Sequence, residues 1–348
     1  MRTVGWTVLL FLLLVAPPAT TSAAADDPVA RAVAWLRTQQ RPDGGFGQPA
    51  ASASATADVV YALALIGENP DGPAWTPTGG QSALRALAAL ASGYVYADAG
   101  QAGKVARAVA LAGGNPRNFG GLDLIAIIQQ AYDPATGRYH PALLYRHTLA
   151  VEGLLRAGET PPSAALQALL NAQLADGGWF WSFDAEQSDV DSTGRVLQVL
   201  AGQAGVGARF TPAAAFDRAA GFLCRQQLAS GGWNVGNQAG PANANSTALA
   251  VAGLRAVGYD PQGRAFRRAD RDAVDALWGF QEPGGGFVYV QAPGKEESRL
   301  MATIDALSAL AQPLARFESA AALATARLYQ IPKRWPARLA DWRCYRIR

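Results

Sequence analysis

The chain is poor in the residues that most often carry chemistry. Its 348 residues include two cysteines and two histidines. His140 and His147 stand at no ligand spacing with Cys224 and Cys344, which argues against a zinc site, and nothing else in the sequence implies a metal or a cofactor. Lysine is scarce too: Lys104, Lys295 and Lys333 stand among 30 basic residues, a skew toward arginine that reports a GC-rich genome rather than a function. A net charge of +3 gives no basis for a nucleic-acid partner. The one long apolar run, "VLLFLLLV" at 8–15, is too short for a permanent bilayer span. It follows Arg2 and precedes Pro17, Pro18 and a small-residue stretch, so residues 1–25 read as a signal peptide cleaved near 23–25. No second apolar span follows, so the mature chain is expected to be exported and without a transmembrane anchor. In an oxidising compartment Cys224 and Cys344 either pair and tie down the C-terminal tail, or remain a small core residue and a free thiol.

What is present is a repeat. Half of the chain is apolar and 16% is charged, enough for a sizeable core. "RAVAWLRTQQRPDGGF" at 31–46, "RAAGFLCRQQLASGGW" at 218–233 and "DAVDALWGFQEPGGGF" at 272–287 align, and "LQALLNAQLADGGW" ends at Trp179. Each copy holds Gln, three residues, Gly, one residue and an aromatic: Gln40 with Phe46, Gln173 with Trp179, Gln227 with Trp233, Gln281 with Phe287. Gln173 to Gln227 and Gln227 to Gln281 are both 54 residues. "YDPATGRY", ending at Tyr139, is a looser copy. A second half-repeat follows, with apolar residues at helical spacing, ending in Gly-x-x-Pro at Gly67/Pro70, Gly113/Pro116, Gly158/Pro161 and Gly258/Pro261. Gly supplies the left-handed residue that stops a helix, and Pro prevents restarting. Thr56, Thr193 and Thr247 are expected near helix starts as caps. Units beginning near 28, 81, 118, 163, 214 and 270 predict about twelve helices, which must stack to bury their faces and, six pairs together, can close into a ring.

The Gln-x-x-x-Gly-x-Trp/Phe pattern resembles the QW repeat of the squalene–hopene cyclases. The toroid they share with protein prenyltransferase β subunits and cobalamin carriers implies an all-α fold, an (α/α)6 toroid over 26–315, as in an exported bacterial-type member of that terpenoid cyclase-like superfamily. The second helix of each pair would then line a central cavity. The same resemblance draws attention to "SDVDST" at 188–193. Cyclases of this type carry Asp-x-Asp-Asp-Thr after a Gly-Gly-Trp, and the middle Asp protonates a polyprene double bond. Asp189 and Asp191 fall on its first two carboxyls, Ser192 replaces the last, and Thr193 matches. Such an acid must stay protonated, with aromatic walls to stabilise carbocations.

Internal comparison points the other way. Trp179 to Ser192 and Trp233 to Ser246 are both 13 residues, so "SDVDST" aligns with "ANANST", Asp189 with Asn243 and Asp191 with Asn245. Asn at both places suits a loop-to-helix cap. On that reading Asp191 accepts backbone hydrogen bonds and stays ionised, with a lowered pKa. The resemblance weakens further in that such cyclases have two helical domains, the prenyltransferase zinc ligands do not transfer, and the Cys-Gly-Glu-Gln of thioester proteins is absent.

Ionisable groups among apolar ones on the second helices are the candidate cavity lining: Asp58, Glu152, Arg195 and Asp305, with His147 at a helix start and the aromatics Trp179, Trp181 and Phe183. Tyr61 and Met301 read as core. Residues 316–348 leave the repeat as a helix and a basic tail with Trp335 and Trp342. The expected function is therefore an exported, non-catalytic toroid binding a hydrophobic or cofactor-sized molecule, or a protein partner, at its centre. The alternative is a degenerate class II terpene cyclase with Asp191 and Asp189 as its acid pair.

Overall fold

The computed structural model describes residues 27–202, 213–236, 239–291 and 298–315. The expected signal peptide, the basic tail and Cys344 lie outside the described residues, while Cys224 is disulfide-bonded. Among the described residues there are twelve α-helices and no strand, only isolated bridges. The helices are α1 (Pro28–Gln39), α2 (Ala53–Leu65), α3 (Ala83–Ala91), α4 (Ala99–Leu111), α5 (Leu124–Gln130) and α6 (Leu144–Arg156). They continue with α7 (Ser163–Asn171), α8 (Val190–Ala201), α9 (Ala213–Gln226), α10 (Ala244–Ala256), α11 (Ala273–Trp278) and α12 (Arg299–Ala311).

The even-numbered helices form an inner ring in which each packs on the next, α2 on α4 and so on to α12, which returns to α2. The odd-numbered helices lie outside: α3 on α2, α5 on α4, α7 on α6, α9 on α8, α11 on α10, and α1 on α12. The ring is therefore closed, the α/α toroid that the repeat predicts. No described helix is long and apolar enough to cross a membrane.

The repeat turns explain why neighbouring pairs lock. Gln173 Nε2 donates to Gly177 O in its own turn and to Ala215 O at the start of α9. Gln40 and Gln227 do the same, reaching Trp75 O and Phe266 O in the next unit. Gln281 closes the circle by donating to Pro28 O, at the first residue of α1. The turn glycine permits this approach. Gly285 has φ +94°, and a Cβ there would lie 2.2 Å from Arg31 O. Phe46, Trp179, Trp233 and Phe287 are fully buried. Phe46 meets Trp75, and Trp233 meets Phe266, ring centroids 6.4 and 6.3 Å apart.

The expectation about caps needs correction. Thr56, Thr193 and Thr247 are not the caps; Ser52, Asp189 and Asn243 are, each accepting from a backbone N–H three residues on. The threonine hydroxyls instead accept the N–H of Phe46, Trp179 and Trp233. That N–H is buried in the turn and has no helical partner, so a side-chain acceptor there is required. In the looser third unit His147 replaces the threonine, and its Nδ1 accepts the Tyr139 N–H.

Candidate functional site

The inner helices present their N-terminal halves to one cavity of about 540 Å³. Its charged floor comes from Asp58 on α2, Lys104 on α4, Asp191 and Arg195 on α8, and Asp305 on α12, with Asn245 on α10. Its mouth is more apolar. Trp181, Val235 and Tyr289 each lie two residues beyond a turn aromatic, and their carbonyls accept the N–H of Tyr145, Val190 and Ala244 at the starts of α6, α8 and α10. In these three units the repeat thus delivers one side chain each to the rim. Tyr145 and Met301 complete this wall. Met301 is 40% exposed, so it belongs to the cavity rather than to the core. Tyr61 is buried, and its hydroxyl donates to Glu152 Oε1 at 3.0 Å.

Part of the floor is a closed ion-pair network. Asp58 meets Lys104 at 2.6 Å and Arg107 at 3.2 Å, and Arg107 meets Glu152 at 2.7 Å. Burial raises Glu152, but Arg107 first, then Arg195 and Arg156, overcome it and hold the carboxyl at about 2. Burial likewise opposes the charge of Arg107, and Glu152, Tyr61 and Asp58 outweigh it, so the guanidinium lies above its usual range. With each charge paired, this network ties α2, α4 and α6 together.

Asp191 behaves differently from its expected role. Asp189 is the cap: its carboxylate accepts from Ser192 N and Ser192 Oγ. Asp191, in the first helical turn, lies on the cavity face with one carboxyl oxygen, Oδ1, buried and without a hydrogen-bond partner. Burial pushes its carboxyl up to about 6, with Asp189 adding to the shift and only Ser246 and Arg195 opposing it. The expected lowered pKa is therefore overturned, because the cap position is two residues earlier and desolvation acts on the residue that follows. Asp305 is also pushed to about 6 by burial, against Arg195 and a 2.6 Å hydrogen bond from Asn245 Nδ2. Asp191 and Asn245, paired by the repeat, both project into the cavity.

Several other candidates lie elsewhere. Trp179 is buried in its turn, with Nε1 donating to Leu169 O. His147 is buried beneath the surface, Nε2 facing Ala165 O at 3.0 Å. Burial lowers its pKa to about 4, so it is a neutral structural imidazole rather than a cavity group. Phe183 packs on His147 and under the Arg138 guanidinium, away from the cavity. Glu152 sits behind the floor, turned to Arg107. The sequence reading missed Lys104, Tyr145 and Tyr289 as lining residues. Only Tyr289 carries a readable signal, the fixed offset from Phe287. Among the described residues no group of three or more His, Cys, Asp or Glu side chains is placed to hold a metal ion.

No protein-family model matches the sequence, and no curated protein matches it. Solved structures do match. The type II terpene cyclase MstE from Scytonema is 15% identical over 83% of this chain and 98% of its own, with TM-score 0.57. A variant of that cyclase, in complex with the substrate geranylgeranyl dihydroxybenzoate, covers 84% of this chain and 98% of its own at 15% identity and TM-score 0.55. A glycosyl hydrolase family 88 protein from Bacteroides vulgatus is 13% identical over 82% and 96% of the two chains, with TM-score 0.52. These likenesses establish the terpenoid cyclase-like α/α toroid, a fold that carries unrelated chemistries.

Proposed function

We propose that the cavity is an acid-catalytic site of the class II terpene cyclase kind, acting on an isoprenoid ligand in an exported protein. The observation that carries this reading is Asp191: a buried carboxyl at about 6, with an unpartnered oxygen on the cavity. A carboxyl in that state keeps its proton up to about pH 6, well above an ordinary aspartate, and its Oδ1 meets no protein donor or acceptor. In the proton-transfer step the double bond takes the Asp191 proton. A C–H bond forms, a carbocation remains, and Asp191 becomes a carboxylate. Ser246 and Arg195 both favour the carboxylate, so they stabilise the product of the transfer. A second double bond of the ligand then closes a C–C bond, the ring cation loses a C–H proton to solvent water to form an alkene, and Asp191 regains its proton from solvent. Tyr145, Trp181 and Tyr289 offer ring faces to the cation.

A specific observation supports a second reading, retention of a ligand without turnover. Three aromatic rings are few for a cation that migrates along a polyprene, and the floor opposite them is charged. Incubation with geranylgeranyl dihydroxybenzoate separates the two. The acid reading expects a product of unchanged mass and altered chromatographic retention, with its rate reduced at least about a hundredfold in Asp191→Asn, as for removal of a general acid. Recovery of intact polyprene bound to both proteins, with no isomer, replaces catalysis by carriage.

A further inference from the structure

The charges of the floor divide into a satisfied part and an unsatisfied part. Asp58, Lys104, Arg107 and Glu152 form the closed network, two carboxylates against two cations, and Lys104 also donates to Ser54 Oγ. What is left is Arg195 with Asp191 and Asp305. Arg195 Nε is buried without a hydrogen-bond partner, and among the described residues no carboxylate comes within ion-pair distance of its guanidinium. Arg195 lies four residues after Asp191, on the same face of α8, and both line the cavity. Glu152, Asp191 and Asp305 act on Arg195 through space, but none pairs with it directly, so its guanidinium can take an anion from a ligand. Above it the walls are apolar: Val235, Leu249 and Met301, with the three aromatic rings at the mouth. The volume falls within the roughly 300–1,000 Å³ of small-molecule sites.

We infer that Arg195 anchors the anionic head group of an amphiphilic ligand, and that seating the anion loads a proton onto the Asp191–Asp305 pair. This rests on the cavity being the ligand site, as in the reading above, and holds whether or not the ligand is turned over. The remaining groups that face the pair are accounted for. Burial raises the phenols of Tyr61 and Tyr289, Tyr145 is a third phenol on the cavity wall, Asp58, Lys104 and Glu152 are ion-paired, and Asp189, whose carboxyl burial also raises, is held as a cap by Ser192. α10 contributes Asn245 and Ser246, which do not titrate. Arg195 is the cation that opposes protonation of both Asp191 and Asp305. An anion bound to it removes that opposition and adds a negative charge of its own. Both effects favour the protonated carboxyl, so a head group that binds here loads a proton onto the carboxyl beside it while making that carboxyl a weaker donor.

Isothermal titration calorimetry with octane-1-sulfonate, which stays ionised throughout, and with octan-1-ol tests this directly. The sulfonate should bind at least about tenfold tighter than the alcohol, the factor of one pKa unit of charge interaction. Its affinity should be about five- to tenfold higher at pH 5.5 than at pH 7.5, for a carboxyl raised by about one unit on binding. Repetition at pH 6 in two buffers of different ionisation enthalpy should show net proton uptake. Arg195→Gln should abolish the preference for sulfonate at an unchanged melting temperature, whereas Asp305→Asn should keep the preference and reduce the uptake. Equal binding of sulfonate and alcohol, or sulfonate binding without proton uptake, overturns the inference. Failure to cyclise a polyprene sinks the catalytic reading alone.

Discussion

A buried carboxyl that keeps its proton up to about pH 6 leaves a signature in stability. Asp191 titrates at about 6 in the folded chain and near 3.8 when exposed, and Asp305 follows the same pattern. Between those values the folded state binds more protons, so the contribution of each is fully present below pH 3.8 and is lost as pH rises through 6. His147 slopes the other way between 6.5 and 4, because its folded pKa is lowered, so the comparison must be made against single mutants. Asp191→Asn should leave stability at pH 4 nearly unchanged and raise it at pH 7.5 by on the order of 1–2 kcal/mol, read from urea midpoints. A lower midpoint for the mutant at pH 7.5 would show that Asp191 is an ionised, well-bonded group after all. At this scale the sequence was half legible. Asp189 could be matched to Asn243 as a cap by spacing alone, yet a shift of two residues decides whether a carboxylate meets backbone N–H groups or a dry cavity. Desolvation has no sequence pattern, so the raised pKa of Asp191 could not be read.

At the scale of elements, the repeat turn and the inner-helix contacts do the structural work. Trp233 is fully buried, with Nε1 donating to Leu223 O at 2.7 Å. Trp233→Ala should cost about 3–5 kcal/mol, since it removes a large core side chain and orphans a carbonyl. A loss below about 1 kcal/mol in chemical denaturation would contradict that burial. The inner helices touch through glycine. A Cβ on Gly253 of α10 would lie 2.7 Å from Gly194 O of α8, and one on Gly153 of α6 would lie 2.6 Å from Gly103 Cα of α4. Gly253→Ala must push α8 and α10 apart, at a cost of about 1–3 kcal/mol, and α8 carries both Asp191 and Arg195. The Gln, Gly and aromatic positions were legible because the chain states them four times over. The glycines at the helix crossings were not, for they mark contacts between distant segments, Gly103 against Gly153 and Gly194 against Gly253. The threonines were placed in the right neighbourhood with the wrong partner, since a hydroxyl four residues into a helix pattern can serve either the helix or the turn behind it.

At the scale of the molecule, the all-α toroid followed from counting units, because helix pairs with one apolar face each have few ways to hide it. The cavity did not follow, since all six inner helices contribute to it and its lining is set by how they converge. Closure has a consequence for the chain's own ends. Gln281 treats Pro28 as every other repeat glutamine treats its successor, and α1 packs on α12 as α3 packs on α2. In the contacts of the ring, then, nothing distinguishes a first unit from a later one, and the place where the polypeptide starts is arbitrary. Elsewhere the inner-to-outer connection takes as little as residues 157–162, between α6 and α7. A circular permutant that joins residue 348 to residue 28 through a Gly-Ser linker, so that both cysteines are kept, with new termini in the surface turn at Thr78 and Gly79, should fold. Its far-ultraviolet spectrum should remain helical and its octane-1-sulfonate affinity unchanged, because the cavity is encoded in the cyclic order of the helices and not in where reading begins.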